Sequence, residues 1–125
     1  MQTPLKLTFR RMARSDALAS RLQERAERLE VLSDRIISCH VVVELEGHHH
    51  LHGDRFRFSI HLGVPGHELV VTHAPPTDRD FEHPYASADR AFDEAERQLE
   101  DWVRCQRDLR YSRPPSDLVE RPSNP

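Results

Sequence analysis

The apolar residues switch between a period of two and a helical period three times along the chain, and that sequence of periods restricts the fold more than any other feature. Leu5, Leu7 and Phe9 alternate with Lys6, Thr8 and Arg10, the period of two expected of a strand with one buried face. This predicts β1 over 5–10. Ser15 is then placed to cap a helix whose first turn holds Asp16, and Leu18, Leu22, Ala26 and Leu29 recur at three and four, the stripe of an amphipathic helix. That helix, α1, is expected over 16–32. From Ile36 the period returns to two through Ile37, Cys39, Val41, Val43 and Leu45, predicting β2 over 36–46. After a turn-like stretch from Gly47 to Asp54, Phe56, Phe58, Ile60 and Leu62 alternate with Arg55, Arg57, Ser59 and His61, giving β3 over 55–62. The VPG at 64–66 reads as a tight turn, and Leu69 and Val71 mark β4 over 68–72. A proline-bearing loop, Ala74 to Pro84, leads to the longest periodic run: Tyr85, Ala88, Phe92, Ala95, Leu99, Trp102 and Val103 predict α2 over 84–108.

Four half-apolar strands and two helices with one apolar stripe each make an α+β, β-α-β-β-β-α two-layer sandwich, with both helices on one face of a four-stranded sheet. The β1-α1-β2 crossover should be right-handed and make β1 parallel to β2. The second face, carrying Lys6, Thr8, His40, Glu44, Arg57 and His61, should be open to water. The 125 residues, 37% of them hydrophobic, suffice for one such domain over 1–108. Residues 109–125, with four prolines in RPPSDLVERPSNP, are expected to form a disordered tail.

No apolar run approaches the roughly 20 residues of a membrane span, and MQTPLKLTFRR lacks the features of a signal peptide. A cytoplasmic protein is expected, without a membrane partner. Cys39 and Cys105 form no CxxC pair, and a reducing cytosol would hold both as thiols. The formal net charge of −3 does not suit a generic nucleic-acid binder, so any RNA contact must be local, and DNA is not an expected partner. Seventeen of the eighteen basic residues are Arg; guanidinium suits bidentate phosphate contacts, although base composition of the genome accounts for such a bias as well.

Glycine-rich phosphate loops, a nucleophile elbow and HExxH are missing from the sequence, so an enzyme is not expected, nor is a cofactor. His48, His49, His50 and His52 crowd the expected β2-β3 turn. Adjacent residues in a strand point to opposite faces, and no Cys or helical His pair completes a set, so a functional metal is not expected. His40 and His61 are expected to be neighbours on the open face.

The order of elements, together with Ala17-Leu18, Leu22, Arg25, Arg28 and Leu29-Glu30 in α1, and Tyr85-Ala86 and the run Glu96-Arg97-Gln98-Leu99 in α2, resembles the ribosome hibernation factors, which include ribosome-associated inhibitor A and hibernation-promoting factor. The resemblance covers about residues 5–108. It implies a short-form member, a monomer when free, that sits on the small ribosomal subunit, contacts its ribosomal RNA and inhibits translation by occupancy. Under that resemblance Arg10, Arg11 and Arg14, before α1, and Arg21, Arg25 and Arg28, at i, i+4 and i+7 along it, are expected to contact RNA phosphates. Arg90, Arg97 and Arg104 recur every seven residues on α2. They read equally as RNA contacts, with Arg97 singled out by the resemblance, or as a solvated ladder pairing Asp93 with Arg97 and Glu100 with Arg104. Family members have a basic α2, whereas this one carries Glu94 and Asp101 where Lys is expected. Two other readings stay open: a protein-interaction or adaptor module in which acidic α2 meets a non-ribosomal partner, and generic RNA binding, since double-stranded-RNA-binding domains share an α-β-β-β-α order.

Overall fold

The computed structural model describes residues 1–49, 53–75 and 83–112. Its elements are β1 (Lys6–Arg10), α1 (Asp16–Leu32), β2 (Ser38–His49), β3 (Gly53–Val64), β4 (His67–His73) and α2 (Pro84–Ser112). The strands form one sheet in the order β1-β2-β3-β4, with β1 parallel to β2 and the remaining pairs antiparallel. A parallel pair cannot be closed by a hairpin, so α1 serves as the crossover and is laid across the sheet. It shares that face with α2: Leu18, Leu22, Ala26 and Leu29 of α1 and Ala88, Phe92, Ala95 and Leu99 of α2 are buried in one core with Val41, Val43, Phe58, Ile60 and Leu62.

The helix starts are set locally. The Leu18 N–H donates to Ser15 Oγ at 3.2 Å, as the sequence predicts. At α2 the Tyr85 N–H donates to His83 Nδ1 at 3.1 Å and the Ser87 N–H to the His83 carbonyl at 3.0 Å. An imidazole nitrogen thus caps a helix whose first residue, Pro84, has no N–H to satisfy. Arg11 has φ of 60°, a left-handed conformation uncommon outside glycine, and it stands where the chain leaves β1 and turns toward α1. Between β3 and β4, Gly66 has φ of 74°, the region that the residue after proline in a tight turn commonly needs.

Several boundaries differ from the sequence expectation, most of them by one or two residues. The turn expected over 47–54 is shorter, because β2 and β3 stay paired to His49 and Gly53 after a register shift between Leu45 and Gly47. Apolar alternation ends near Leu45, but main-chain pairing does not depend on an apolar face, so a two-stranded ribbon continues past the core. His50 and His52 of the histidine cluster lie outside the described residues. β2 begins at Ser38, and Ile36, not Ile37, enters the core, at 1% exposure. Finally, α2 continues to Ser112, beyond the expected end at 108 and into the segment expected to be a tail; residues 113–125 lie outside the described ones.

The two thiols are in opposite environments. Cys39 is buried on the helix-covered face, where desolvation, reinforced by Glu30, pushes its thiol up to about 12. Cys105 is exposed on α2. A maleimide at neutral pH is therefore expected to label Cys105 alone in the native protein, and both cysteines after unfolding, as read by intact mass. Equal native labelling of Cys39 would mean that the sheet opens on the time scale of the reaction.

Candidate functional site

The arginines singled out by sequence fall into three places with different electrostatics. Arg10, Arg11 and Arg14 are exposed at the corner where β1 leads into α1. Arg11 Nε is 3.8 Å from Glu44, and Arg14 Nε donates to Asp16 at 3.2 Å while its guanidinium lies 5.9 Å from the Phe9 ring centroid. Exposed pairs of this kind are weak and exchange readily with water or an incoming anion.

The second place is the seam between the helices. Arg25 is 5% exposed. Its Nη1 donates to the Asp89 carboxylate at 3.0 Å and to the Asp89 carbonyl at 3.2 Å, and its Nη2 to Asp93 at 2.8 Å and Glu96 at 3.0 Å. Burial by itself would lower the guanidinium pKa, but the hydrogen bonds to Asp93, Glu96 and Asp89 outweigh it and hold the pKa above its ordinary value. The group also lies 5.6 Å from the Phe92 ring centroid, and its Nε has no hydrogen-bond partner. Arg21 and Arg28 flank it. Arg21 is 3.7 Å from Asp89 and 5.2 Å from the Tyr85 ring centroid, and Arg28 is 3.6 Å from Glu96. Arg21 and Arg28 keep part of their surface in water, whereas Arg25 has its terminal donors committed to the second helix.

The third place is the outer face of α2. Arg97 donates to Glu94 at 2.6 and 2.9 Å and to Asp101 at 3.0 Å, and Arg104 donates to the other oxygen of Asp101. The fork around Arg97 holds the Glu94 carboxyl down to about 2. The ladder is real, but its partners differ from the expected ones: Asp93 is turned to Arg25 and not to Arg97, and Arg104 takes Asp101 and not Glu100. Arg90 is exposed and has a partner of its own. Glu94 and Asp101, the acids standing where Lys is expected, are therefore what holds Arg97 in place.

Sequence reasoning missed the acidic half of the seam, although a signal was present. Arg21, Arg25 and Arg28 are spaced i, i+4, i+7, and so are Asp89, Asp93 and Glu96. Two helices running in the same direction side by side bring such rows into phase. Among the described residues no group of three or more His, Cys, Asp and Glu is placed to hold a metal ion, and no helix is long and apolar enough to cross a membrane.

Comparison with known proteins agrees with this fold. The family model described as Sigma 54 modulation protein / S30EA ribosomal protein matches residues 5–105. Among solved structures, the N-terminal domain of Protein Y from Thermus thermophilus is 26% identical with a TM-score of 0.61, over 78% of this chain and 94% of that one. A ribosomal subunit interface protein from Coxiella burnetii superposes with a TM-score of 0.65 at 15% identity, over 80% of this chain and 97% of that one, a likeness of fold alone. No curated protein sequence matches significantly.

Proposed function

Because the chain belongs to the Sigma 54 modulation protein / S30EA ribosomal protein family, we propose that it binds the small ribosomal subunit through ribosomal RNA and inhibits translation by occupying it when growth slows. It acts in the cytoplasm by binding alone, without turnover and without a cofactor. The observation that carries this reading is the family match across residues 5–105, which takes in every strand, α1 and most of α2. The contact surface is centred on Arg10, Arg11 and Arg14, extended along α1 by Arg21 and Arg28, because these cations are exposed or half-exposed and held only by weak pairs. Arg25 belongs to this surface as the residue that fixes α1 against α2. Arg90, Arg97 and Arg104 contribute less, since a phosphate would have to displace partners already in place.

Sedimentation of the purified chain with small ribosomal subunits tests the reading. The protein is expected to pellet with subunits at low salt and to be released at high salt, because each phosphate contact displaces condensed counterions. Absence from the pellet at low salt would remove the reading. The acid-paired outer face of α2 favours the adaptor alternative, which predicts stoichiometric, nuclease-resistant capture of a single non-ribosomal protein.

A further inference from the structure

The face of the sheet opposite the helices carries a feature that the arginine corner does not use. Strand register aligns Lys6 of β1 with His40 of β2, and His40 with His61 of β3, which in turn faces Val70 of β4. The two imidazole centroids are 6.2 Å apart with their planes tilted by 37°. Thr8 Oγ1 lies 2.8 Å from His40 Nε2 and fixes that ring. Four residues along each strand, Arg10, Glu44 and Arg57 stand side by side in the same register. On the far side His61 Nδ1 is 3.7 Å from Glu68.

The charges around the pair are unbalanced in a particular way. His40 is held below the ordinary imidazole pKa, first by burial and then by Lys6, His61 and Arg10. Of the carboxylates near this face, Glu44 lies between Arg10 and Arg57 and within 3.8 Å of Arg11, Glu46 lies 3.8 Å from both Arg55 and Arg57, and Glu68 lies against His61. A proton on His40 would therefore meet cations on β1 and β3. An external anion is what would stabilise it. Both rings are half-exposed, and Val70, at 46% exposure, stands beside them. A single RNA strand fits that combination, since it brings phosphodiesters for the cations and flat bases for the imidazoles and the apolar edge.

We propose that this open sheet face is a second RNA-contacting surface, in which Lys6, His40 and His61 engage the phosphodiester backbone and the two histidines take up protons as they do so. Binding there strengthens as pH falls. This rests on the reading of the chain as an RNA-binding protein but assigns a different surface, adjoining the arginine corner at Arg10. By linkage, RNA that binds the charged imidazoles raises their pKa by the same free energy that protonation adds to binding.

Fluorescence anisotropy of the full chain with a labelled oligouridylate, at low salt between about pH 8 and about pH 5.5, tests the proposal within the range where imidazoles titrate. Affinity is expected to rise about tenfold for each imidazole whose pKa the RNA lifts by one unit. Within the double variant His40→Gln/His61→Gln, the ratio of the affinities at the two ends of that pH range should lose most of the rise, whatever its affinity at the upper end. An equal rise in the variant, or none in the wild type, overturns the proposal. A second measurement needs no variant: NMR titration of the His40 and His61 rings should show both midpoints displaced upward by oligouridylate, and unmoved midpoints overturn it. Failure here is distinguishable from failure of ribosome binding. A chain that pellets with small subunits while its histidine midpoints ignore RNA loses the second surface alone. One whose histidines respond but which never pellets loses the ribosomal reading alone.

Discussion

Arg25→Ala is expected to lower folding stability by about 3 kcal/mol, read as a fall in the urea midpoint and a drop in Tm of roughly 15 °C. The change removes the donor shared by Asp89, Asp93 and Glu96 and leaves those carboxylates facing one another. It also removes the guanidinium that packs over Phe92. Breaking a buried pair costs about 3–5 kcal/mol. The lower end applies, because the Asp93 and Asp89 side chains are 68% and 36% exposed and can be rehydrated. Arg25→Lys should recover roughly half of the loss, since an ammonium cannot reproduce a planar fork that meets three acceptors. The outcome separates the role of a pin between helices from the RNA contact that the family resemblance implies for this residue. A variant of wild-type stability that no longer pellets with small subunits would make Arg25 an RNA ligand and not a pin between helices.

Removing Arg10, Arg14 and Arg28 together, each to alanine, should have the opposite profile. All three are exposed, Arg14 and Arg28 each making one ion pair, with Asp16 and with Glu96, so stability should change by no more than about 0.5 kcal/mol for each. Affinity for small subunits should fall heavily. Each lost phosphate contact lowers the slope of log affinity against log salt by about one. Three contacts account for roughly 30-fold of the affinity lost between about 50 mM and about 200 mM salt. Arg97→Ala serves as the contrasting control. It should change the slope little, because that guanidinium is already engaged by Glu94 and Asp101. A triple variant with the wild-type slope would place the ribosomal contact elsewhere on the molecule.

The order of elements, the parallel β1-β2 pair, the shared helix face and most of the core were legible without coordinates, and particular residues show why. Phe58, Ile60 and Leu62 sit at every second position of a strand, and Ala88, Phe92, Ala95 and Leu99 at helical spacing. Each set is fully buried as its period requires. Periodicity is a local property, so one sequence suffices to read it. The end of the β2-β3 ribbon was not legible for the converse reason: past Leu45 pairing is carried by main-chain hydrogen bonds, which leave no pattern in side chains.

The candidate site divides along the same line. Sequence by itself determined that the cations are almost all arginine, that those of α1 share one flank, and that the elements follow the order of a ribosome-associated family. Only the tertiary structure decided which of those arginines keep their guanidinium groups in water and which are committed to partners. Arg14 and Arg25 are the same side chain eleven positions apart. One keeps its guanidinium in water beside Asp16, while the other donates to carboxylates on a helix more than sixty residues away. Whether a charge is free depends on what lies within a few ångströms of it, because Coulomb attraction and hydrogen bonding act across space and take no account of separation along the chain.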